Sequence, residues 1–193
     1  MANFVQSISY SRAAPALRRE MDLLQHRAQP SLCLMPNEAL TPLHDATLQA
    51  LSFYCHADGK MVSYAGVVSK TIQHGGQTFD IAGLSCVATD RSHQGRGFGL
   101  RTVAAATEWL EQSNKDFGIF TCDPGLAHFY ARAGAWPVVP DVVLIGSRDP
   151  GALCSVSLRK VVLMRLFSTK AREAATRLAN TTIDLGLPIG QFL

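Results

Sequence analysis

The residues best suited to chemistry in this chain are Gln94-Gly95-Arg96-Gly97-Phe98-Gly99. Glycines at this spacing let successive backbone N–H groups turn toward one point with no Cβ in the way. The residues that follow have helical periodicity, and a helix start adds free N–H groups and the positive end of its dipole. Together they suit a pyrophosphate, with Arg96 and Arg101 adding charge. Two other nucleotide-binding patterns fail. A Walker loop ends in Gly-Lys-Ser/Thr, whereas Gly99 is followed by Leu100-Arg101. A Rossmann fingerprint needs its third glycine where Leu100 stands, and a strand–helix–strand unit in place of the hairpins predicted here.

Cysteine and histidine offer less. Cys33, Cys55, Cys86, Cys122 and Cys154 make an odd count with no Cys-x-x-Cys, mostly inside apolar runs. That pattern predicts reduced thiols in a cytoplasmic protein, not a disulfide frame. The six histidines are scattered without ligand spacing, so no metal is expected. Cys86 and Cys122 have no histidine at readable spacing and read as small core residues.

A loop of this kind needs a strand before it and a helix after it. Residues 78–89 are apolar almost throughout, which predicts a central strand buried on both faces. Residues 98–112 read as a helix with Val103, Ala106, Trp109 and Leu110 inward. Upstream, 4–10 reads as an edge strand and 13–25 as a helix with Leu17, Met21 and Leu24 on one stripe. Residues 26–42, with Pro30, Pro36 and Pro42, read as a loop able to line a substrate site. Strands are predicted over 48–56 and 61–74 about an Asp58-Gly59 turn, and Gly75-Gly76 makes the next turn. Downstream come a strand at 117–122 and a helix at 126–132 that stops at Gly134. Strands at 136–145 and 154–167, a helix at 169–180 and an irregular tail from 183 complete the chain. The order predicts an α/β chain of the α+β type: one domain over 1–193, with a mixed, mostly antiparallel central sheet flanked by helices.

Composition agrees. Of 193 residues, 47% are hydrophobic and 17% charged, which excludes disorder. A net charge of +3 gives no basis for a nucleic-acid surface. No apolar stretch is long enough to span a membrane, and residues 1–12 lack the pattern of a signal peptide.

Residues 84–110 resemble motif A of the GCN5-related N-acetyltransferase (GNAT) superfamily, Gln/Arg-x-x-Gly-x-Gly/Ala. Gln94, Gly97 and Gly99 match it, in the same strand-then-helix context. A second likeness follows. Ile119-Phe120-Thr121-Cys122, then Phe129-Tyr130-Ala131-Arg132-Ala133-Gly134-Ala135-Trp136, is similar to the superfamily's next strand and tyrosine-bearing helix, with Asp123 where Asn is common. The two likenesses cover about 48–136.

The resemblance implies acetyl-CoA as co-substrate. Gln94, Gly95, Arg96, Gly97, Phe98 and Gly99 would cradle its pyrophosphate, and Val87, Ala88 and Thr89 would pair with pantetheine as a strand does. It implies direct attack of an amine on the thioester, with Tyr130 donating a proton to the departing thiolate. The acidic residue of related strands falls at Ser85, which makes Ser85 the other catalytic candidate. Asp80, His44, His56 and Asp123 remain as alternatives for the proton acceptor. Within the superfamily, residues 65–89 look most like the aminoglycoside 2'-N-acetyltransferases. The partner implied is a small-molecule amine, with no nucleic acid, no membrane, and room for a homodimer. A protein amine as acceptor, or an acyl-CoA-binding module without catalysis, are the alternatives.

Overall fold

The computed structural model describes residues 4–28 and 42–193. Pro30, Pro36 and Cys33 lie outside them. The chain divides into two compact units, Met1–Val68 with Leu84–Thr107, and Ser69–Gly83 with Glu108–Leu193.

In the first unit, β1 (Gln6–Ser9) pairs antiparallel with β2 (Leu51–Ala57), and β2 pairs antiparallel with β3 (Lys60–His74). The β2–β3 turn is Asp58-Gly59, with φ of 51° and 74°. Positive φ at both central residues is the primed turn that matches strand twist. β4 (Gln77–Thr89) is the next strand in the order and contributes its second half to this unit. Helix α1 (Pro15–Ala28) buries Met21 and Leu24 completely. Helix α2 (Phe98–Gln112) starts at Phe98, which packs into a cluster with Cys55 and Val62. Its Val103 and Ala106 are buried as predicted; the helix residues after Thr107 belong to the second unit, where Leu110 is buried as predicted and Trp109 stays 37% exposed.

In the second unit, the end of β3 and the start of β4 meet at Gly75-Gly76, both at positive φ. β5 (Phe117–Cys122) runs parallel to β4 over Ile81↔Phe117 and Ala82↔Gly118, and antiparallel to β7 (Val161–Leu166) along its whole length. Close approach requires Gly83, where a Cβ would stand 2.4 Å from the Ile119 carbonyl oxygen. The backbone N–H and hydroxyl of Thr121 both donate to the Leu193 carbonyl, at 3.2 and 2.6 Å. Asp116, 7% exposed, accepts from Lys170 at 2.6 Å, Ser168 at 2.7 Å and the Asp80 N–H at 2.9 Å. Burial alone would raise its pKa, and these bonds outweigh burial to hold it below the usual range.

The mixed, mostly antiparallel sheet is therefore as predicted, and the differences gather late in the chain. Residues 136–145 form only β6 (Val142–Ile145), because Pro137 and Pro140 cannot donate to a ladder; one bridge, Val138↔Leu163, survives. Residues 154–160 turn, with Arg159 at φ 54°, so the predicted strand there begins only at β7. The predicted helix from 169 divides into α3's later companions α4 (Thr169–Glu173) and α5 (Ala175–Leu178) at Ala174, whose ψ is 1°; α3 itself is Ala127–Gly134. Ser168 caps α4 by accepting the Ala171 N–H at 3.0 Å. The predicted irregular tail instead begins within β8 (Thr181–Asp184), which pairs parallel with β6.

Candidate functional site

Directly after β4, Asp90 anchors the turn that leads into the glycine loop. Its carboxylate is buried and accepts from five groups. One oxygen takes the Ser92 N–H at 3.1 Å and hydroxyl at 2.5 Å, and lies 3.4 Å from His93 Nδ1. The other takes Arg27 at 2.9 Å and Lys60 at 3.3 Å. The Ser92 bonds, then Arg27, His93 and Lys60, outweigh burial and hold this acid far below the usual carboxylate range. His93 is itself buried; its Nε2 meets Asp58 at 3.1 Å and its ring packs on Phe98 at 5.7 Å.

The loop leaves this frame in a defined shape. Gln94 donates to the Thr89 carbonyl at 3.2 Å. Gly95 and Gly97 have φ of 74° and 79°, values that favour glycine. Gly99 sits in the first turn of α2 with no such need. Phe98 is 3% exposed, and the Arg96 and Arg101 guanidinium carbons stand 5.5 and 4.7 Å from its ring centroid. Two cations are thereby held on the ring of the first residue of α2, and a helix start is where an anion binds.

The strand before the loop is distorted at Cys86, a non-glycine residue at φ 52°. Such a backbone costs on the order of 1–3 kcal/mol and persists where its surroundings hold it. Gln25 holds it here, donating to the Cys86 carbonyl at 2.6 Å, and the Cys86 thiol donates to the Leu43 carbonyl at 3.7 Å. Burial pushes that thiol's pKa up, so it is no nucleophile. Ser85 is half-buried, and its hydroxyl reaches only the Cys86 sulfur, 3.5 Å away, among the described residues. Val87, Ala88 and Thr89 follow; Ser63 donates to the Ala88 carbonyl at 3.4 Å and lies 3.3 Å from the Thr89 hydroxyl.

His44 is 5% exposed, with Nε2 2.7 Å from the Tyr64 oxygen, which lies 2.9 Å from Ser52 Oγ. Burial pushes its pKa down to about 4. In the unfolded chain an imidazole titrates near ~6.5. Between those values the unfolded chain carries a proton that the folded chain does not, so acid favours unfolding. Stability should fall by up to roughly 3 kcal/mol as pH drops from about 6.5 toward 4. Urea midpoints at pH 7 and pH 5 check this: the acid-induced drop should shrink in His44→Gln. An equal drop in both proteins would contradict it.

Of the other proton-acceptor candidates, Asp80 accepts from Thr71 at 2.6 Å on the surface, His56 pairs with Glu20 at 3.0 Å, and Asp123 pairs with Lys160 at 2.7 Å.

Tyr130 belongs to the second unit. Its ring, on α3, is 6% exposed and packs edge-on against Phe120 and Phe129, both at 5.0 Å. Phe129 beside it is the less buried of the two. The Tyr130 hydroxyl has no hydrogen-bond partner among the described residues. Burial, then Cys122 and Asp123, push its pKa up, so it holds its proton at neutral pH. Burial first, then Asp123, push the Cys122 thiol up to about 11. Asp90, His93 and Gln25 were not among the residues singled out by sequence. Asp90 alone carried a local signal, an Asp two residues before Ser92.

The model of the acetyltransferase (GNAT) family matches residues 20–135. The fold is similar to that of an acyl-CoA N-acyltransferase from Pseudomonas aeruginosa, with a TM-score of 0.59 at 14% identity over 85% of this chain and 99% of that one. It is similar to a GNAT family acetyltransferase from Brucella melitensis in complex with acetyl-CoA (0.56, 14%, 86% and 90%). It is also similar to the GNAT family N-acetyltransferase YhbS from Escherichia coli in complex with CoA (0.56, 13%, 94% and 89%). At these identities the likeness is one of fold. No curated relative matches the chain.

Proposed function

This chain belongs to the acetyltransferase (GNAT) family, and we propose that it moves an acetyl group from acetyl-CoA to the amine of a small molecule by direct attack on the thioester. The observation that carries the proposal is the loop Gln94–Gly99. Two of its glycines hold left-handed backbone, it opens a 15-residue helix, and a buried phenylalanine sets two guanidiniums beside it. Gln94, Gly95, Arg96, Gly97, Phe98 and Gly99 bind the pyrophosphate. Val87, Ala88 and Thr89 supply the backbone groups for pantetheine. Ser85 orients the incoming amine. Tyr130, protonated and with an unbonded hydroxyl, gives its proton to the thiolate.

The acceptor class follows from the likeness of residues 65–89 to aminoglycoside 2'-N-acetyltransferases, and an aminoglycoside is the acceptor proposed. A panel tests this: kanamycin, gentamicin, spermidine, a lysine peptide and an alanine-terminated peptide, each with acetyl-CoA, read as CoA release. The expected result is fastest release with an aminoglycoside. Reaction of the peptides or spermidine alone would reject the acceptor while keeping the transfer reaction. Binding of acetyl-CoA with no release for any amine would favour an acyl-CoA-binding module.

A further inference from the structure

The transfer reaction proposed above needs a proton acceptor, and the strand position where related enzymes carry an acid holds Ser85, which has no carboxylate. We infer that His44, oriented by Tyr64 and Ser52, takes the proton from the attacking nitrogen; the inference rests on that proposed reaction.

Three observations carry it. The first is placement. Gly66 has an empty side-chain position that borders two groups at once: a Cβ there would lie 2.6 Å from the His44 ring and 3.2 Å from the Ser85 carbonyl oxygen. Leu43, the neighbour of His44, accepts from the Cys86 thiol. The imidazole therefore stands beside the distorted Ser85–Cys86 stretch of β4, in the same unit as Val87–Thr89 and the glycine loop. The second is orientation. Tyr10 meets the ring edge-on at 5.2 Å, and the Tyr10 hydroxyl accepts the Leu43 N–H at 3.0 Å, so both ring and backbone are held. The third is an open valence. Nε2 is engaged by Tyr64, whereas Nδ1 has no partner among the described residues, although the side chain is more than nine-tenths buried. When Nε2–H donates to Tyr64, and Tyr64 donates to Ser52, Nδ1 is left with a lone pair. An unused lone pair on a nitrogen that is not itself shut off from solvent is what a general base requires.

The proton and electron count closes. The amine enters neutral, its lone pair forms the C–N bond, and the carbonyl pair moves to oxygen. The positively charged nitrogen so formed is far more acidic than a free ammonium and passes its proton to His44 Nδ1. The carbonyl re-forms as the C–S bond breaks, and the thiolate takes a proton from Tyr130. Water then removes the proton from His44 and the tyrosinate is reprotonated. A neutral ring at rest, the consequence of burial, keeps Nδ1 free to accept.

The test uses the full chain, acetyl-CoA and the fastest acceptor of the amine panel. His44→Ala should lower turnover about 10²–10⁴-fold, with acetyl-CoA affinity unchanged by calorimetry. Added imidazole should restore part of the turnover in His44→Ala, where the site is vacated, and none in His44→Gln, where it is filled. Should His44→Ala not fold, Tyr64→Phe serves, because it keeps the ring and removes the oxygen that holds Nε2. Its kcat should drop by at least about tenfold with KM for acetyl-CoA unchanged. Folded His44 variants with turnover near wild type, or an unaltered kcat in Tyr64→Phe, overturn the inference. So does loss of turnover with a matching loss of acetyl-CoA affinity and no imidazole rescue, which marks a structural residue. A wild-type protein inert toward every amine overturns the proposed reaction and this inference with it; an active wild type matched by its His44 variants overturns this inference alone.

Discussion

Gly97→Val should abolish acetyl-CoA binding in a chain that still folds. Gly97 has φ of 79°, and a β-branched residue there is strained whatever space surrounds it. Its Cβ would also stand 3.4 Å from the Arg101 guanidinium, one of the two cations held on Phe98. The backbone must rotate to relieve the strain, and rotation turns the loop's N–H groups away from their common point. The frame that fixes the loop's start is untouched, since Asp90, Ser92, His93 and Lys60 make their bonds upstream. The affinity should fall at least about 100-fold, equivalent to roughly 2.7 kcal/mol. Calorimetry reads the affinity and a circular-dichroism melt reads the fold. A folded variant that binds acetyl-CoA as tightly as wild type removes the loop from the site.

Tyr130→Phe should cut turnover about 10²–10⁴-fold while acetyl-CoA affinity holds. The substitution keeps a ring packed between Phe120 and Phe129 and removes only a hydroxyl that bonds to no described residue. For the same reason stability should change little, because no internal hydrogen bond is broken. The phenol's raised pKa means that it is a proton donor at neutral pH and never a base. Turnover per folded enzyme, beside a thermal melt, separates the roles. Near-normal turnover with a lowered melting temperature would make Tyr130 a core residue.

The loop and its helix were legible because their signal is local: glycines two apart, then helical periodicity. The primed turn at Asp58-Gly59 and the paired glycines 75 and 76 were legible for the same reason. What shapes the site around the loop was not. Gln25 reaches Cys86 across 61 residues, and His44 reaches Tyr64 across 20. No spacing rule pairs a glutamine on one helix with a carbonyl on a distant strand. The positive φ at Cys86 has no sequence mark either, since glycine would have been the expected residue there. Late in the chain, residues 136–145 read as one strand, and Pro137 and Pro140 among them reduced it to β6. β8 was missed because four residues, Thr-Thr-Ile-Asp, are too few for period-two alternation to stand out, and its partner β6 lies some forty residues earlier.

Acetyl transfer itself is tested by product analysis of the wild-type protein. Acetyl-CoA and the pooled amines of the panel are mixed with enzyme, and mass spectrometry follows every amine while free CoA is counted by thiol reaction. One amine should gain a single acetyl group, in amounts equal to the CoA released. Release of CoA with no acetylated amine, or no release at all, would contradict it.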